Sequence, residues 1–413
     1  MSTSNRAGNR ARHGSRGPGS KVLRVTAAVT AGVLGFGIVL GTTYVERLQH
    51  TFTTTDISGL VTGPTQTAES ETPSASPSAI VTPDPVDTEA GEAIDVLLVG
   101  SDSRSGANGD IGGSVAGGMR SDTTMIMHIS GDRSRIDFLS IPRDMRVRVS
   151  NCKFLDGSTV KGWTGKFNIA FANGGKHGNE AEAAACTMQT IQDLTGITFE
   201  HYAVVDFAGF ENMINSVGGV PMCIEKKIDD RRSHLHLKPG ATVLSGKKSL
   251  AYARVRHIGD GTDLQRIERQ HALMNNLAKK VLGMNVLADA PQLTLLLKSA
   301  GESMTMDPDL GSFPYLVGLA FSLRNIDQNN ITFATVPWKY AGDKSGDVLA
   351  TPDAKVIYKR LVSDIPMDGG TTETVDTTTT SPAPGVTGTT SPTIAPTPER
   401  LTQDQILAAC ATS

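Results

Sequence analysis

The stretch Arg254-Val-Arg-His-Ile-Gly-Asp-Gly-Thr-Asp-Leu-Gln-Arg-Ile-Glu-Arg-Gln270 brings four arginines and Gln270 to the two sides of one Gly-Asp-Gly-Thr turn. On an extended backbone, the side chains of Arg254 and Arg256 point to the same side. Beyond the turn, Thr262 is a good helix N-cap, and Arg266 and Gln270 then lie one helical turn apart. We therefore expect Arg254 and Arg256 to face Arg266 and Gln270 across the turn.

This arginine cluster favours a phosphorylated ligand. Planar guanidinium groups bind phosphate oxygens through paired hydrogen bonds, and a helix N-terminus adds backbone N–H groups and a positive dipole. A pyrophosphate matches these features, a nucleic-acid backbone also fits the arginines, and a solvated charged surface would need no ligand. The formal net charge of the 413-residue chain is −3, so no global basic field indicates nucleic acid as a partner.

The N-terminal region predicts a membrane anchor. Residues 1–24 are basic and contain no acidic residue, and residues 25–45 carry no charge. A run of this length can cross a bilayer, which takes about 20 residues. The preceding positive charges predict a cytoplasmic N-terminus, so the remainder would lie outside the cell membrane. A cleaved signal peptide is the alternative, but no small-x-small cleavage site follows the apolar run.

Composition divides the rest of the chain. Residues 46–92 are rich in Thr, Ser, Pro and acidic residues, which is typical of a disordered linker. Residues 93–366 form the folded domain, residues 367–399 are a second low-complexity segment, and residues 400–413 form a C-terminal segment with a short helix over 400–410.

Strands alternate with helices in the domain, which predicts an α/β fold with a central mixed sheet. We predict strands within 94–100, 120–128, 135–144, 201–206, 220–224 and 331–336, and helices over 180–194, 207–216, 262–282, 288–303 and 312–324.

Three predicted strand boundaries each carry an arginine and an aspartate. In α/β proteins, ligands bind in loops at the carboxyl ends of strands. One such pair could arise by chance, but three at comparable places indicate a shared site. The pairs are Asp102 with Arg104, Arg120 with Asp122, and Arg143 with Asp144.

The four cysteines all follow the predicted membrane span. Disulfides persist outside the cytoplasm, and an even number favours two bridges with three possible pairings. Their spacing does not match a compact zinc site. We favour Cys186–Cys223 within the core and Cys152–Cys410 as a tether for the C-terminal segment, with free structural thiols as the alternative.

Several motifs, taken together and in this order, resemble the LytR-CpsA-Psr family, as does the single-span layout. The resemblance covers about residues 94–280 and continues more weakly to about 362. Its details, such as the Gly-Asp-Gly-Thr turn, are similar to actinobacterial members. The motifs include Leu97-Leu-Val-Gly-Ser-Asp-Ser-Arg104, Arg120-Ser-Asp-Thr-Thr124, Ser140-Ile-Pro-Arg-Asp144, Lys166-Phe-Asn-Ile-Ala-Phe-Ala-Asn-Gly-Gly175 and Tyr252-Ala-Arg-Val-Arg-His257.

The resemblance implies that 93–366 is a single extracytoplasmic catalytic domain of this family. It implies a phosphotransferase that moves a glycopolymer from a polyprenyl-pyrophosphate carrier to a wall acceptor. The usual acceptor is the 6-hydroxyl of N-acetylmuramic acid in peptidoglycan, and the product is a phosphodiester. In actinobacterial relatives the polymer is often arabinogalactan, and some members glycosylate a surface protein instead.

The resemblance also assigns site residues. It places Mg²⁺ on Asp102 and Asp122, and carboxylates with substrate phosphate oxygens are the shell expected for that ion. We favour Asp122 as the general base, and expect Asp122, Arg104, Arg143 and Arg266 to be catalytic. The positions that match the family's pyrophosphate-binding residues are Arg104, Arg143, Arg254, Arg256, Arg266 and Gln270. Second-rank candidates, for which a surface or supporting role is the alternative, are Arg120, Arg146, Lys166 and Arg269.

Three other functions fit parts of this pattern. A non-catalytic polyprenyl-phosphate-binding scaffold would use the same arginines without needing Asp102 or Asp122. A pyrophosphatase would use the same site with water as the acceptor, as a side activity. A DNA-binding regulator conflicts with the predicted topology, which places the arginines outside the cell.

Overall fold

The computed structural model describes residues 53–63, 86–103, 119–231, 233–255, 263–284, 295–296, 298–299, 301, 304–368 and 410. All of them belong to the unit Thr51–Ser413. The predicted membrane span 25–45, most of the linker 46–92 and nearly all of 367–413 lie outside this description. Among the described residues, no helix combines the length and the apolar character that a membrane crossing requires.

Strands and helices alternate along the described residues. The strands are β1 Thr53–Thr54, β2 Ile94–Ser101, β3 Ser121–Ile129, β4 Ile136–Ser140, β5 Arg146–Arg148, β6 Cys152–Lys153, β7 Thr159–Val160, β8 Thr164–Lys166, β9 His201–Val205, β10 Val220–Ile224, β11 Ile228–Asp230, β12 Leu235–Leu237, β13 Gly240–Leu244, β14 Met304–Met306, β15 Ile331–Thr335, β16 Trp338–Tyr340 and β17 Val348–Ala350. The α-helices are α1 Ile169–Gly174, α2 Glu180–Thr195, α3 Phe207–Ser216, α4 Gly246–Arg254, α5 Asp263–Gly283, α6 Phe313–Ser322 and α7 Pro352–Val362. Short 3₁₀ helices span Gly175–His177, Leu323–Asn325 and Gln328–Asn330.

A seven-stranded mixed sheet lies at the centre, in the order β1-β14-β9-β2-β3-β4-β15. Strands β2 and β9 are parallel, as are β4 and β15, whereas β2, β3 and β4 form an antiparallel series. Smaller two-stranded sheets surround it. This architecture confirms the predicted α/β fold with a central mixed sheet.

Strand β2 is buried on both faces, which explains its almost continuous apolar sequence. Leu97 and Val99 belong to a core that includes residues of α1 and α2. Ile94 and Val96 belong to a second core on the other face, which includes residues of α6 and β14. Helices therefore cover both faces of the sheet, and the chain leaves β2 at the sheet edge where the polar loops begin.

Most predicted elements agree with the structure to within a few residues. Helix α2 begins after Asn179, whose side chain accepts hydrogen bonds from two backbone N–H groups. It ends at Thr195 and is followed by Gly196, which caps it with a φ of 78°. Helix α3 and strand β10 match the predicted ranges 207–216 and 220–224. The predicted helix 288–303 lies mainly outside the described residues. The same holds for 400–410, of which only Cys410 is described, in helical conformation.

The extended backbone predicted through Arg254 is wrong. Residues Gly246–Arg254 form helix α4, and Arg254 is its last residue. The alternation Tyr-Ala-Arg-Val resembles that of a strand, but the buried residues are Gly246, Ser249, Leu250 and Tyr252, which lie three or four residues apart along a helix. Packing of this face against the rest of the domain overrides the local two-residue pattern. Arg256 lies outside the described residues.

The favoured disulfide pairing is also wrong, although two bridges are present. Cys152 is bonded to Cys186, and Cys223 is bonded to Cys410, with Cα–Cα distances of 5.1 and 5.4 Å. Strand β6 packs beside α2, so Cys152 lies next to Cys186. The C-terminal segment is therefore tethered as expected, but to β10.

Peptide mapping under non-reducing conditions is expected to recover the pairs Cys152–Cys186 and Cys223–Cys410. Because the first bridge closes a loop with a sequence separation of 34 residues, its loss should lower the free energy of unfolding by about 4 kcal/mol. Denaturant unfolding of Cys152→Ser/Cys186→Ser measures this change. Recovery of a Cys152–Cys410 peptide would contradict the structure.

A buried histidine joins the segment before β2 to the sheet, at the end opposite the polar loops. The His201 Nδ1 lies 2.9 Å from Asp307 Oδ1, and its Nε2 lies 2.7 Å from the Tyr315 hydroxyl. The Tyr315 hydroxyl also donates to Glu89. Burial lowers the pKa of His201, but hydrogen bonds with Asp307 and Glu89 outweigh it and raise the pKa to about 10.

This network predicts a pH-dependent contribution to stability. The folded pKa of His201 exceeds the unfolded value of about 6.5, so its stabilisation is complete below about pH 6.5 and is lost as the pH rises towards 10. We expect the difference in unfolding free energy between the wild type and His201→Gln to shrink across this window. Urea unfolding at several pH values measures it, and a constant difference would contradict the assignment.

Candidate active site

A cavity of about 640 Å³ lies at the sheet edge where β2 and β9 end and β3 begins. One part of its wall is charged and polar, and the other part is apolar. The charged and polar residues of this wall are Asp102, Arg120, Asp122, Thr123, Arg143, Asn168, Asp206, Arg254, Arg266 and Gln270. Arg104 and Arg256 lie outside the described residues.

Pairing of β2 with β3 positions the two aspartates. The Asp102 N–H donates to the Arg120 carbonyl at 2.9 Å, and Asp102 Oδ1 accepts from the Arg120 N–H at 2.7 Å. The register shifts between Gly100 and Ser101, so the strand pair ends irregularly at this point. Asp122 lies in β3 at that irregularity, between Ser121, which is opposite Ser101, and Thr123, which is opposite Gly100. The backbone therefore holds both carboxylates against one cavity.

Arg143 lies between two carboxylates in the loop after β4. Its Nη1 donates to Asp122 Oδ1 at 2.7 Å, and its Nε lies 3.4 Å from Asp144 Oδ2. Arg143 lies in a turn that begins at Pro142 and is closed by a hydrogen bond from the Met145 N–H to the Pro142 carbonyl. The guanidinium group is mostly shielded from solvent, so its charge is only weakly screened in this position.

Helix α5 supplies the deepest cation. Arg266 is only 2% exposed, and its Nη2 donates to the Asp122 carbonyl at 3.2 Å. Gln270 is buried one turn later, and its Nε2 donates to the Ala253 carbonyl at 3.2 Å. Arg254, at the end of α4, stacks its guanidinium 4.2 Å from the centre of the Phe207 ring. The same cavity is thus lined by Arg254, Arg266 and Gln270, as expected. Arg254 reaches it from helix α4 and not from the extended segment that the sequence predicted.

The apolar part of the cavity continues directly from these cations. Helix α3 contributes Phe207, Phe210 and Met213, which repeat every three residues. Further apolar residues of this wall are Leu98, Val99, Met125, Val205, Leu250, Ala253, Leu273, Met274, Leu277 and Met304. The sequence does not separate such residues from the core, because both are apolar at helical spacing. A cavity with charged and apolar walls fits an amphiphile with an anionic headgroup.

A second cavity, of about 430 Å³, adjoins the first. Its wall shares Arg120, Arg143 and Asn168 with the larger cavity and adds Asp144, Lys166, Ile169 and Ala172. Lys166 Nζ donates to Asp144 Oδ1 at 2.7 Å. This hydrogen bond is the largest cause that raises the pKa of Lys166.

The second-rank residues separate into distinct groups. Arg120 lines both cavities, and Lys166 lines the smaller one. Arg269 donates to the Val255 carbonyl and so helps join α5 to the end of α4. Arg146 lines neither of these two cavities and instead pairs with Asp343 at 2.6 Å and Asp347 at 2.8 Å.

Sequence reasoning missed several polar residues of the site, among them Asp206 and Asn168. Asp206 follows the carboxyl end of β9, which runs parallel to β2, and its side chain also caps α3. The rule that places ligands at strand ends could have identified it. Asn168 follows strand β8, and its backbone N–H donates to the Arg143 carbonyl at 3.1 Å. No periodic pattern distinguishes Asn168 in the sequence.

The donor set of the larger cavity fits Mg²⁺ better than a metal bound entirely by protein. Within the described ranges, no group of three or more His, Cys, Asp or Glu residues could hold a metal ion. Asp102 and Asp122 line the same cavity and supply carboxylate oxygens. Mg²⁺ is commonly bound by one or two carboxylates with substrate phosphates and water completing its shell. These two residues therefore fit the ion when a phosphorylated ligand is present.

Comparison with known proteins supports the fold. Protein gbs0355 from Streptococcus agalactiae has a similar structure, with a TM-score of 0.53 and 19% identity, and the match covers 69% of this chain and 91% of gbs0355. TagV from B. subtilis is also similar, with a TM-score of 0.51 and 22% identity, and the match covers 68% of this chain and 99% of TagV. At these identities the likeness concerns the fold alone.

Sequence comparisons identify relatives among characterised proteins. The chain is 31% identical over 265 residues to the cell wall biosynthesis protein LcpA of Corynebacterium glutamicum, covering 59% of this chain and 50% of LcpA. It is 30% identical over 249 residues to the regulatory protein MsrR of Staphylococcus aureus, covering 60% of this chain and 65% of MsrR. The matched region thus spans about half to two-thirds of these relatives. The profile of the LytR_cpsA_psr family matches residues 58–359. Because this match covers most of the chain, the protein belongs to the LytR-CpsA-Psr family.

Proposed function

We propose that the protein is a phosphotransferase that moves a glycopolymer from a polyprenyl-pyrophosphate carrier to a cell-wall acceptor. The observation that carries the proposal is the continuity of the larger cavity, in which charged and apolar walls meet. A lipid-linked pyrophosphate has both a multiply charged headgroup and a long apolar tail. The headgroup would bind beside Arg143, Arg254 and Arg266, and the tail would lie along α3, α4 and α5.

The proposed reaction is an in-line displacement at phosphorus. The acceptor hydroxyl oxygen forms a bond to the phosphorus that carries the glycan, and the bond from this phosphorus to the bridging oxygen breaks. The polyprenyl chain leaves as a monophosphate, and the product is a phosphodiester. The hydroxyl proton passes to a carboxylate at the site, for which we propose Asp122. The donor supplies its own activated bond, so no nucleotide is needed.

The arginines contribute positioning and charge stabilisation, which are the main requirements of phosphoryl transfer. Arg266 is buried in a wall with low solvent exposure, where its interaction with phosphate is stronger than in water. Arg143 donates to Asp122 at 2.7 Å, and this hydrogen bond favours its position beside the proposed headgroup. Mg²⁺ on Asp102 and Asp122 would neutralise negative charge on the phosphate oxygens. Arg104 and Arg256 are proposed as further pyrophosphate contacts from the family motifs.

The proposed location follows from the sequence. Residues 25–45 would anchor the chain in the cell membrane, with residues 1–24 in the cytoplasm and the catalytic domain outside. The 6-hydroxyl of N-acetylmuramic acid in peptidoglycan is the proposed acceptor, and an arabinogalactan-like polymer is the proposed cargo. A surface protein is the alternative acceptor. A scaffold that only binds polyprenyl phosphate is the alternative function, since the same cavity would serve it.

The decisive experiment uses the full chain in detergent with a synthetic polyprenyl-pyrophosphate glycan and peptidoglycan oligomers. Mass spectrometry is expected to detect the phosphodiester product and polyprenyl monophosphate in the presence of Mg²⁺, and neither after chelation. Donor binding without any product would favour the scaffold. Release of the glycan phosphate into water, with no product on the acceptor, would favour a pyrophosphatase.

A further inference from the structure

The smaller cavity, lined by Asp144, Lys166 and Ile169, lies beside the larger cavity in which we place the lipid-linked donor. It shares a wall with the larger cavity, and Arg143 forms the connection between them. This guanidinium contacts Asp122, which lines the larger cavity, and lies close to Asp144, which lines the smaller one. A ligand in the smaller cavity would therefore lie immediately beside a phosphate bound in the larger one.

The wall of the smaller cavity combines polar groups with hydrocarbon. Lys166 and Asp144 neutralise each other through their 2.7 Å contact, and together they offer donors and acceptors to hydroxyl groups. Ile169 and Ala172, on helix α1, provide an apolar floor. A sugar ring has this same division, because its hydroxyls form a polar rim around faces of C–H groups.

An exposed tryptophan stands beside this apolar floor. Trp163 directly precedes β8 and is 45% exposed, which is unusual for so large an apolar side chain. A Cβ added at Gly165 would lie 2.9 Å from Ile169 Cδ1 and 3.1 Å from Trp163 Nε1. The indole and the Ile169 side chain therefore lie close together over Gly165. Trp163 is thus an exposed aromatic side chain beside Ile169, which lines the smaller cavity, and such a side chain can stack on a sugar ring.

We propose that the smaller cavity and Trp163 bind the acceptor saccharide. This assignment rests on the proposed phosphotransferase function, and it deepens that function by placing the acceptor on the opposite side of Arg143 from the lipid. The attacking hydroxyl enters beside Arg143, and the next sugar of the acceptor stacks on the indole. Trp163 is a binding residue in this arrangement and takes no part in proton transfer.

The test compares Trp163→Ala with Tyr340→Ala in the full chain in detergent. Tyr340 is a matched control, because it is 58% exposed and aromatic but lines neither of the two cavities. The probe is a peptidoglycan tetrasaccharide of alternating N-acetylglucosamine and N-acetylmuramic acid, with binding measured by saturation-transfer-difference NMR. We expect Trp163→Ala to weaken binding about tenfold and Tyr340→Ala to leave it unchanged. Trp163→Phe, which keeps an aromatic face, should restore most of the affinity.

Steady-state kinetics of the transfer reaction then distinguish an effect on acceptor binding from an effect on donor binding. Trp163→Ala should raise the KM for the tetrasaccharide about tenfold and leave the KM for the lipid-pyrophosphate donor within about twofold. A rise in the donor KM instead would mean that the cavity holds the donor glycan, and it would overturn the proposal. Unchanged binding in Trp163→Ala would also overturn it. If the wild type binds the tetrasaccharide through Trp163 but transfers nothing, the saccharide site stands and the phosphotransferase function fails.

Discussion

Replacing Asp122 by asparagine is expected to reduce the rate of glycopolymer transfer by at least about a hundredfold while the domain stays folded. The substitution keeps the shape of the side chain but removes its charge. It therefore turns the ion pair with Arg143, whose Nη1 donates to Asp122 Oδ1 at 2.7 Å, into a contact with a neutral group, and it removes one of the two carboxylates proposed to hold Mg²⁺. Both losses act on the transition state, where charge on the phosphate oxygens must be neutralised.

Stability should change little, because about a third of the Asp122 side chain is exposed and salt bridges of this kind contribute at most about 1 kcal/mol. Donor binding should also survive within a few-fold, since Arg254 and Arg266 keep their positions on α4 and α5. The expected result is a fall in kcat with an intact thermal transition. Transfer kinetics at saturating donor, together with thermal unfolding, measure both quantities.

Asp343→Asn is the matched control. Asp343 also pairs with an arginine, Arg146, at 2.6 Å, but it lines neither of the two cavities. This variant should transfer glycan at nearly the wild-type rate. If Asp122→Asn does so as well, neither the metal-binding nor the proton-accepting role of Asp122 can stand. Equal losses in the two variants would instead point to a general electrostatic effect.

The site residues at the strand ends were predictable from the sequence. A buried strand is a short apolar run, and the polar residues that follow it mark where it ends. Asp102, Asp122 and Arg143 all follow or interrupt apolar runs, and the structure brings them to one cavity. The sheet itself was predictable for the same reason. Strand β2 is apolar along almost its full length, which is the signature of a strand covered on both faces.

The remaining features depend on tertiary packing, which local patterns do not encode. Arg254 reaches the cavity from helix α4 because burial of Leu250 and Ser249 overrides an alternating sequence. The cysteine partners depend on which elements become neighbours, since Cys152 and Cys186 meet only when β6 packs beside α2. The apolar wall has no sequence signal of its own, because its phenylalanines and methionines would look the same in a core.

Replacing Arg266 by alanine is expected to weaken binding of the polyprenyl-pyrophosphate donor by about a hundredfold, far more than Arg146→Ala does. Arg266 is 2% exposed and lines the larger cavity, so a phosphate beside it meets a cation that water hardly screens. Arg146 carries the same charge, but it is partly exposed and already pairs with Asp343 and Asp347. We expect Arg146→Ala to change donor affinity by less than about threefold, in line with a screened surface charge.

The alanine variant also removes a large buried side chain, so a lysine variant is needed to separate charge from volume. Arg266→Lys keeps the positive charge and most of the hydrocarbon but loses the planar fork that binds two phosphate oxygens at once. Its donor affinity should fall between those of the wild type and Arg266→Ala, with a thermal transition close to the wild type. Titration with a fluorescent polyprenyl-pyrophosphate analogue measures all three variants at one ionic strength. Equal losses of donor affinity in Arg266→Ala and Arg146→Ala would show that Arg266 has only a structural role. If Arg266 contacts the phosphate, its loss must weaken binding more than the loss of an arginine outside the cavity.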